Sequence, residues 1–296
     1  MLTCPRTPES FEQRFERRAL EVTGVRLAPG WLQRASACFP SVMRECSVAS
    51  REELEALLLG DRAGATRLVE RLVGEVTVKE TRLFRDAPQM RLLRRVVLPE
   101  AREVGERRGT PVRLWSAGCA TGEEAYSLAM LAAEEFSHSG AGAFTVVGTD
   151  ISASAVAHAR RGVYRHRSAA LGVEEEFEPL VDRYTRTDAD GATIIEPELR
   201  SQVRFAVHNL IAGPRMSGQD VVLCRNVLVY LPREAQATLV SRLWDSLHPG
   251  GWLLTGEADL LHLVCNDFER WSHPSATLYR KPLDAGTGRE GGGLRG

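Results

Sequence analysis

Apolar residues in the first quarter of the chain recur at every third or fourth position, with charged residues between them. This spacing occurs over residues 11–22 and again over 65–74, and it is typical of amphipathic helices. Ser50 and Glu53 form a capping-box pattern ahead of a further apolar run, L-E-A-L-L-L. We therefore predict a small all-helical domain over residues 1–75.

Beyond residue 110 the pattern changes to short apolar runs that alternate with helical stretches. The apolar runs lie at 112–116, 144–150, 203–208, 220–226 and 252–256. Strands and helices in alternation indicate an α/β fold, in which a parallel sheet carries helices on both faces. We assign this domain to residues 111–283.

Two shorter segments stand apart from this alternation. An Asp-Gly pair at 190–191 lies between β-prone stretches, and it predicts a small antiparallel β insertion near 184–205. Residues 284–296 include a G-G-G run, and we expect this tail to be disordered.

Composition and charge limit the classes of function. The chain has 43% hydrophobic and 26% charged residues, as in ordinary soluble globular proteins. Its formal net charge of −1 provides no overall field that would favour nucleic acid or a membrane surface. The six cysteines are scattered without a Cys-x-x-Cys pair, and the seven histidines show no metal spacing. We therefore expect neither a metal site nor a disulfide framework.

The sequence also bears on localisation. The N-terminus lacks the apolar run of a signal peptide, and no apolar stretch approaches the ~20 residues that span a bilayer. Free thiols suit a reducing compartment. A cytoplasmic protein without membrane insertion is the expectation.

Residues 114–130 read L-W-S-A-G-C-A-T-G-E-E-A-Y-S-L-A-M, the form of a strand, a tight loop and a helix. The loop lacks the G-x-x-x-x-G-K-[ST] pattern of a phosphate loop and also the G-x-G-x-x-G pattern. Glu123 and Glu124 would be stabilised by the helix dipole whatever their function. Alternatively, one of the two faces a cationic or hydroxyl-rich ligand at the mouth of the sheet.

Polar side chains follow the ends of successive predicted strands. Asp150 ends the second strand, where a carboxylate can accept both ribose hydroxyls, although it could also cap the next helix. Asn209 and Asn226 follow two later strands. Ligands bind parallel sheets outside the carboxyl ends of the strands, so these residues together with Glu124 predict a nucleoside-type site.

Six segments in this order resemble the chemotaxis-receptor glutamate methyltransferases, the CheR family, over roughly residues 11–282. They are V-T-V-K-E-T-R-L-F-R-D (76–86), W-S-A-G-C-A-T-G-E-E-A-Y-S (115–127), G-T-D-I-S (148–152), A-R-R-G-V-Y (159–164), H-N-L (208–210) and C-R-N-V-L-V-Y (224–230).

The resemblance implies a Rossmann-like S-adenosylmethionine-dependent methyltransferase domain, joined to the helical domain by a linker segment at 76–110 that contributes to the active site. It implies methyl transfer to receptor glutamates, with S-adenosylhomocysteine as product. The implied cofactor-binding residues are Thr81, Arg85, Glu124, Asp150, Asn209, Leu210, Arg225 and Asn226. Arg85 and Tyr230 match the residues nearest the transferred methyl group and the substrate carboxylate, which makes them the implied catalytic pair.

Simpler interpretations of individual residues stay open. Arg85 could form only an interdomain salt bridge, and Tyr230 could be a core aromatic. The arginines of the N-terminal helices could be a solvated face, or they could dock on an acidic receptor stalk.

Three positions depart from the family pattern. Leu83 replaces an aromatic residue, and Lys79 stands where a small or amide residue is common. G-E-A-D at 256–259 replaces a Ser-Glu ending.

The implied partner is the cytoplasmic helical domain of a chemoreceptor, bound by a monomeric enzyme. Two alternatives remain: a methyltransferase that uses the same cofactor on another substrate, and a non-catalytic cofactor-binding scaffold. The chain lacks a strongly basic stripe and an interleaved aromatic platform, so nucleic acid is not expected as a partner.

Overall fold

The computed structural model describes residues 9–60, 63–140, 142–164, 172–259, 261, 264–265, 267–273 and 276–283. The tail at 284–296, for which disorder is expected, lies outside these described residues. No helix of the described chain combines the length and apolar character needed to cross a bilayer.

The α-helices of the described residues are α1 (Phe11–Thr23), α2 (Trp31–Ser36), α3 (Phe39–Cys46), α4 (Arg51–Leu59), α5 (Ala63–Val76), α6 (Ala87–Leu92), α7 (Leu98–Arg108), α8 (Glu123–Glu135), α9 (Ala153–Arg161), α10 (Glu178–Tyr184), α11 (Pro197–Ser201) and α12 (Arg233–Ser246). The strands are β1 (Val112–Ala117), β2 (Phe144–Asp150), β3 (Val163–Tyr164), β4 (Thr185–Thr187), β5 (Thr193–Ile195), β6 (Val203–Val207), β7 (Gln219–Cys224), β8 (Leu247–Thr255), β9 (Glu269–His273) and β10 (Ala276–Arg280).

Helices α1 to α5 pack around a core of their own. Phe15 is fully buried, and its ring stacks on that of Trp31 with 4.7 Å between centroids. The predicted cap of α4 is confirmed, because the Ser50 hydroxyl accepts a hydrogen bond from the Glu53 amide. The Glu53 carboxylate accepts its return bond from Ala49, one residue before the cap.

The segment between the helical part and the sheet is also helical. Helix α6 continues through a π-helical turn, Leu93–Val97, into α7. Pro99 lies in the first turn of α7 and has no amide hydrogen, so the regular bond to the carbonyl four residues earlier is missing there.

A seven-stranded sheet forms the centre of the α/β part, with strand order β6-β2-β1-β7-β8-β10-β9. The first five strands in this order are parallel, and β10 and β9 extend the sheet with antiparallel pairing. Alternate side chains of β7 enter opposite core clusters: Val221 packs with α8 on one face, and Val222 packs with α12 on the other. The predicted sheet with both faces covered is confirmed.

The predicted antiparallel insertion is present, but its strands differ from the expectation. It is a three-stranded sheet of order β3-β5-β4, so its first strand is Val163–Tyr164. Residues 203–205, at the end of the approximate range given for the insertion, belong to β6, the strand expected at 203–208, and β6 pairs in parallel with β2. Alternation of side chains cannot distinguish these two destinations, because both are strands.

Candidate active site

A cavity opens at the carboxyl ends of the parallel strands, between the sheet and the N-terminal helices. The nine residues that the sequence predicted for the site all line this cavity. They are Thr81, Arg85, Glu124, Asp150, Asn209, Leu210, Arg225, Asn226 and Tyr230.

The loop after β1 forms the floor of the cavity. Its backbone reverses tightly, since the Gly118 and Cys119 amides both donate to the carbonyl of Thr149 at 2.7 and 2.9 Å. Gly118 has a positive φ of 84°, and a Cβ there would lie 2.6 Å from the side chain of Val227. Only glycine permits both the turn and this close approach.

The two glutamates at the start of α8 have different environments. Glu124 lines the cavity, where its carboxylate accepts a 2.7 Å hydrogen bond from Ser116 and lies 3.3 Å from the Arg225 guanidinium. Burial raises the pKa of Glu124, and Arg225 opposes this increase. Glu123 is buried away from the cavity lining and accepts a bond from the Thr121 hydroxyl. Glu124 is therefore the carboxylate available to a ligand.

Asp150 ends β2 with its carboxylate at the cavity wall. Its oxygens accept hydrogen bonds from the amides of Ala120, at 2.9 Å, and Ser152, at 2.8 Å. The cap of α9 is Ser152, whose hydroxyl accepts from Ala155, so Asp150 is not the capping residue. Burial raises the pKa of Asp150, while the two backbone amides oppose the increase.

Asn209 lines the cavity, but its side chain is used within the protein. Its amide nitrogen donates to the carbonyl of Val22 and to the carboxylate of Glu70, both at 2.9 Å. Its oxygen accepts from the amides of Ile211 and Ala212. The side chain thus joins the helical part to the sheet, a role that the motif H-N-L does not reveal.

The loop after β7 carries Asn226 and Tyr230. Asn226 has a positive φ of 58°, and its backbone amide donates a hydrogen bond to the buried carboxylate of Asp259. The second oxygen of Asp259 accepts from Val229 at 3.1 Å. Asp259, one of the departures from the family pattern, therefore fixes the loop that carries Tyr230.

Arg85 and Tyr230 are both accessible from the cavity. The Arg85 guanidinium donates to the carbonyl of Glu80 at 2.8 Å, and among the described residues it forms no ion pair. Tyr230 is 40% exposed, so it is not a core aromatic.

The other two departures lie close to the site. Lys79 reaches Glu75, at 3.3 Å, and the hydroxyl of Ser154, at 3.0 Å, which connects α5 to α9. Leu83 is fully buried in the core beneath α8.

Other lining residues were not among the site residues predicted from the sequence, including Thr23, Val25, Glu80 and His208. Thr23 is the last residue of α1 and Val25 lies two positions after it, while Glu80 and His208 lie beside predicted residues. Burial lowers the pKa of His208, which keeps its imidazole neutral over a wider pH range. No local sequence signal marks Thr23 or Val25, because only the packing of the helical part against the sheet brings them to the cavity.

A cavity with a glycine loop and two carboxylates, at the carboxyl edge of a parallel sheet, defines the class of proteins that bind a nucleoside-containing cofactor. Among the described residues, no cluster of His, Cys, Asp and Glu is arranged to hold a metal ion. The parallel sheet with helices on both faces is a Rossmann-like arrangement.

The chain belongs to the CheR methyltransferase family, since the family model "CheR methyltransferase, SAM binding domain" matches residues 79–276. "Chemotaxis protein methyltransferase 1" of Pseudomonas aeruginosa is 31% identical over 244 residues, which are 81% of this chain and 86% of that protein. "Chemotaxis protein methyltransferase Cher2" of Pseudomonas putida is 30% identical over 275 residues, covering 91% and 97% of the two chains. The cofactor of this domain is S-adenosylmethionine.

The cavity fits this cofactor. S-adenosylmethionine carries a sulfonium, an ammonium and sugar hydroxyls but no phosphate. Glu124 and Asp150 provide carboxylates for such groups, and the lining has apolar side chains such as Leu210 and Ile151 for a purine ring. The helix start carries glutamate where a phosphate-binding loop would carry lysine.

Proposed function

We propose that this methyltransferase forms methyl esters on glutamate side chains in the cytoplasmic helical domain of a chemoreceptor. The observation that carries the proposal is that Arg85 and Tyr230 open onto the same cavity as Glu124 and Asp150. A substrate carboxylate could therefore approach a cationic and a phenolic group next to the cofactor.

The roles toward the cofactor follow from the positions of the side chains. Asp150 would accept the ribose hydroxyls, and Glu124 would face the cationic end. Thr81 and Arg85 would close the cavity from the linker side. Leu210, with the backbone at Asn209, would flank the adenine. Asn226 and Arg225 would complete the wall opposite Asp150.

The chemistry needs little proton transfer. When bound, S-adenosylmethionine supplies a methyl group on a cationic sulfur and leaves as S-adenosylhomocysteine. A glutamate side chain has an ordinary pKa near ~4.3, so it is already an ionised nucleophile at neutral pH. The task of the protein is then to hold the carboxylate in line, an effect worth up to ~7–11 kcal/mol.

Arg85 and Tyr230 suit that task. The Arg85 guanidinium can orient the incoming carboxylate through a charge-assisted hydrogen bond. Its bond to the Glu80 carbonyl occupies one terminal nitrogen and leaves other donors for a substrate. The Tyr230 hydroxyl, on the loop after β7 in the cavity lining, can orient the same carboxylate.

The test is incubation of the enzyme with labelled cofactor and a receptor cytoplasmic fragment, followed by mapping of the modified residues. We expect base-labile methyl esters on glutamates, and a loss of ~10²-fold or more in Arg85→Ala, in line with removal of a positioning group. Arg82→Ala is the matched control, because Arg82 is exposed and does not line the cavity.

Other outcomes separate the alternatives. A wild-type chain that binds the cofactor but labels no receptor fragment would contradict the receptor substrate and favour another methyl acceptor. A chain that binds the cofactor and labels no protein or small molecule would favour the scaffold. Size-exclusion chromatography with light scattering tests the expected monomer.

A further inference from the structure

Arg225 is the first residue after β7, and its side chain is almost completely enclosed, with 2% exposed. One terminal nitrogen, Nη2, donates a 2.7 Å hydrogen bond to the carbonyl oxygen of Arg85 and lies 3.3 Å from the Asp86 carboxylate. The other, Nη1, lies 3.3 Å from the carboxylate of Glu124. One cation therefore joins the linker segment to the cofactor side of the cavity.

The segment that Arg225 contacts has an unfavourable backbone conformation. Phe84 and Asp86, on either side of Arg85, have positive φ values of 52° and 64°. Residues with side chains adopt such angles at functional sites when their surroundings hold them there. The conformation of this segment determines where the Arg85 side chain points.

Two groups besides Arg225 hold this segment. The Phe84 amide donates to the Ser127 hydroxyl at 2.8 Å, and its ring stacks on Phe177 with 4.6 Å between centroids. These contacts fix the residue before Arg85. The carbonyl of Arg85 and the carboxylate of Asp86 are held by Arg225.

The side chain of Arg225 offers little to a ligand. Its Nε is buried and has no hydrogen-bond acceptor among the described residues, so the placement of the guanidinium depends on the two terminal nitrogens. Both of these nitrogens are already directed at protein oxygens. A planar, bidentate guanidinium can bridge two carboxylates and a carbonyl, whereas lysine provides only a point charge.

We propose that Arg225 is a positioning residue for Arg85: it holds the strained segment Phe84–Asp86 against the wall that carries Glu124. This inference rests on the proposed function, in which Arg85 orients the substrate carboxylate. It assigns Arg225 a contact with the protein in place of the cofactor contact that the family motif implies.

The test compares Arg225→Lys and Asp86→Asn with the wild type in steady-state methylation and in calorimetric titration with S-adenosylhomocysteine. Both variants should lower kcat by ~10-fold or more, through lost positioning of Arg85, and leave the Kd for S-adenosylhomocysteine within ~3-fold. A rise in Kd in Arg225→Lys with Asp86→Asn unaffected would overturn the proposal, because it is the pattern of a direct cofactor contact.

The matched control is Arg108→Lys. Arg108 also pairs with a buried carboxylate, Asp220, but at the opposite end of β7, through two bonds of 2.9 and 3.0 Å. This variant should lose some stability and keep both kcat and Kd. If it lowers kcat as much as Arg225→Lys does, the effect is a general result of weakened packing.

A second measurement does not depend on the receptor substrate. Hydrogen–deuterium exchange at the amides of residues 84–87 should be faster in Arg225→Lys than in the wild type, and unchanged in Arg108→Lys. If the wild type methylates no receptor fragment, the proposed function fails, while exchange and titration still decide the role of Arg225. Unchanged exchange in Arg225→Lys would contradict the positioning role.

Discussion

The side-chain amide of Asn209 donates a 2.9 Å hydrogen bond to the carbonyl oxygen of Val22, and so ties the end of a sheet strand to the end of the first helix. The same amide nitrogen reaches Glu70 on α5. This contact also brings Thr23 and Val25, which follow Val22 closely in the chain, to the wall of the cavity. The helical part of the chain is therefore a structural wall of the cofactor cavity.

Replacing Asn209 with alanine should destabilise the protein by about 1–3 kcal/mol, because buried donors and acceptors at Val22 and Ile211 lose their partners. S-adenosylhomocysteine binding should weaken as well, since the wall that carries Val25 is loosened. Urea denaturation and calorimetry measure the two effects. Gln33→Ala, an exposed amide on α2, is the control, and equal stability of the two variants would contradict the role of Asn209.

Gly74 lies on α5 directly against the residues that follow Asp150. A Cβ at this position would lie 2.8 Å from the Ile151 carbonyl oxygen and from Ser152 Cα. Alanine normally stabilises a helix by up to ~1 kcal/mol relative to glycine, but Gly74→Ala should destabilise this protein and weaken cofactor binding. Gly64→Ala, in the same helix with no atom within 4 Å of the added Cβ, should be neutral or stabilising. Thermal melts of both variants check the prediction, and a stabilised Gly74→Ala would refute it.

Asp259 is the buried carboxylate that holds the loop of Asn226 and Val229. Burial raises the pKa of Asp259, and the hydrogen bonds that its carboxylate accepts from backbone amides oppose this increase. Asp259→Ala leaves those amides without acceptors, so we expect a loss of about 1–3 kcal/mol in unfolding free energy. We also expect a lower kcat, because Tyr230 is on the same loop.

Methylation assays and denaturation of Asp259→Ala test this, with Asp182→Asn on the exposed face of α10 as the control. Wild-type kcat in a destabilised Asp259→Ala would show that the loop position does not affect catalysis.

The raised pKa of Asp150 predicts a pH dependence of cofactor binding. An ionised carboxylate accepts both ribose hydroxyls, and protonation removes part of this capacity. Because burial raises the folded-state pKa above the ordinary 3.8, affinity should fall as the pH decreases through that raised pKa, beginning above pH 3.8. The affinity for the cofactor is therefore greatest at pH values above the raised pKa of Asp150.

Calorimetric titration with S-adenosylhomocysteine from about pH 8 downward measures this dependence, which follows proton linkage. Glu124 has a raised pKa and His208 a lowered pKa in the same lining, so the double variant Glu124→Gln/His208→Gln is the reference in which the remaining pH dependence belongs to Asp150. A flat affinity in that variant down to the unfolding pH would rule out Asp150 as the titrating group.

Sequence reasoning was most successful where the signal was local. The strand ends at Asp150 and Asn226 followed from apolar runs followed by a polar residue, and parallel strands place such ends at one edge. It was less successful for residues with two compatible roles. The sequence around Asn209 is compatible with a ligand contact and equally with a hydrogen bond inside the protein. The choice between these roles depends on Val22, almost two hundred residues earlier in the chain.

The amino-acid sequence by itself determined the α/β class, the helical N-terminal part and the family motifs, because periodicity and short motifs are properties of neighbouring residues. The motifs also assigned Glu124, and not Glu123, to the cofactor. Only the tertiary structure decided which strand joins the insertion, what the Asn209 side chain joins, and what Arg225 holds. These features depend on contacts between distant segments. Arg225 donates a hydrogen bond to the carbonyl of Arg85, 140 positions earlier in the chain, and no local sequence pattern predicts that contact.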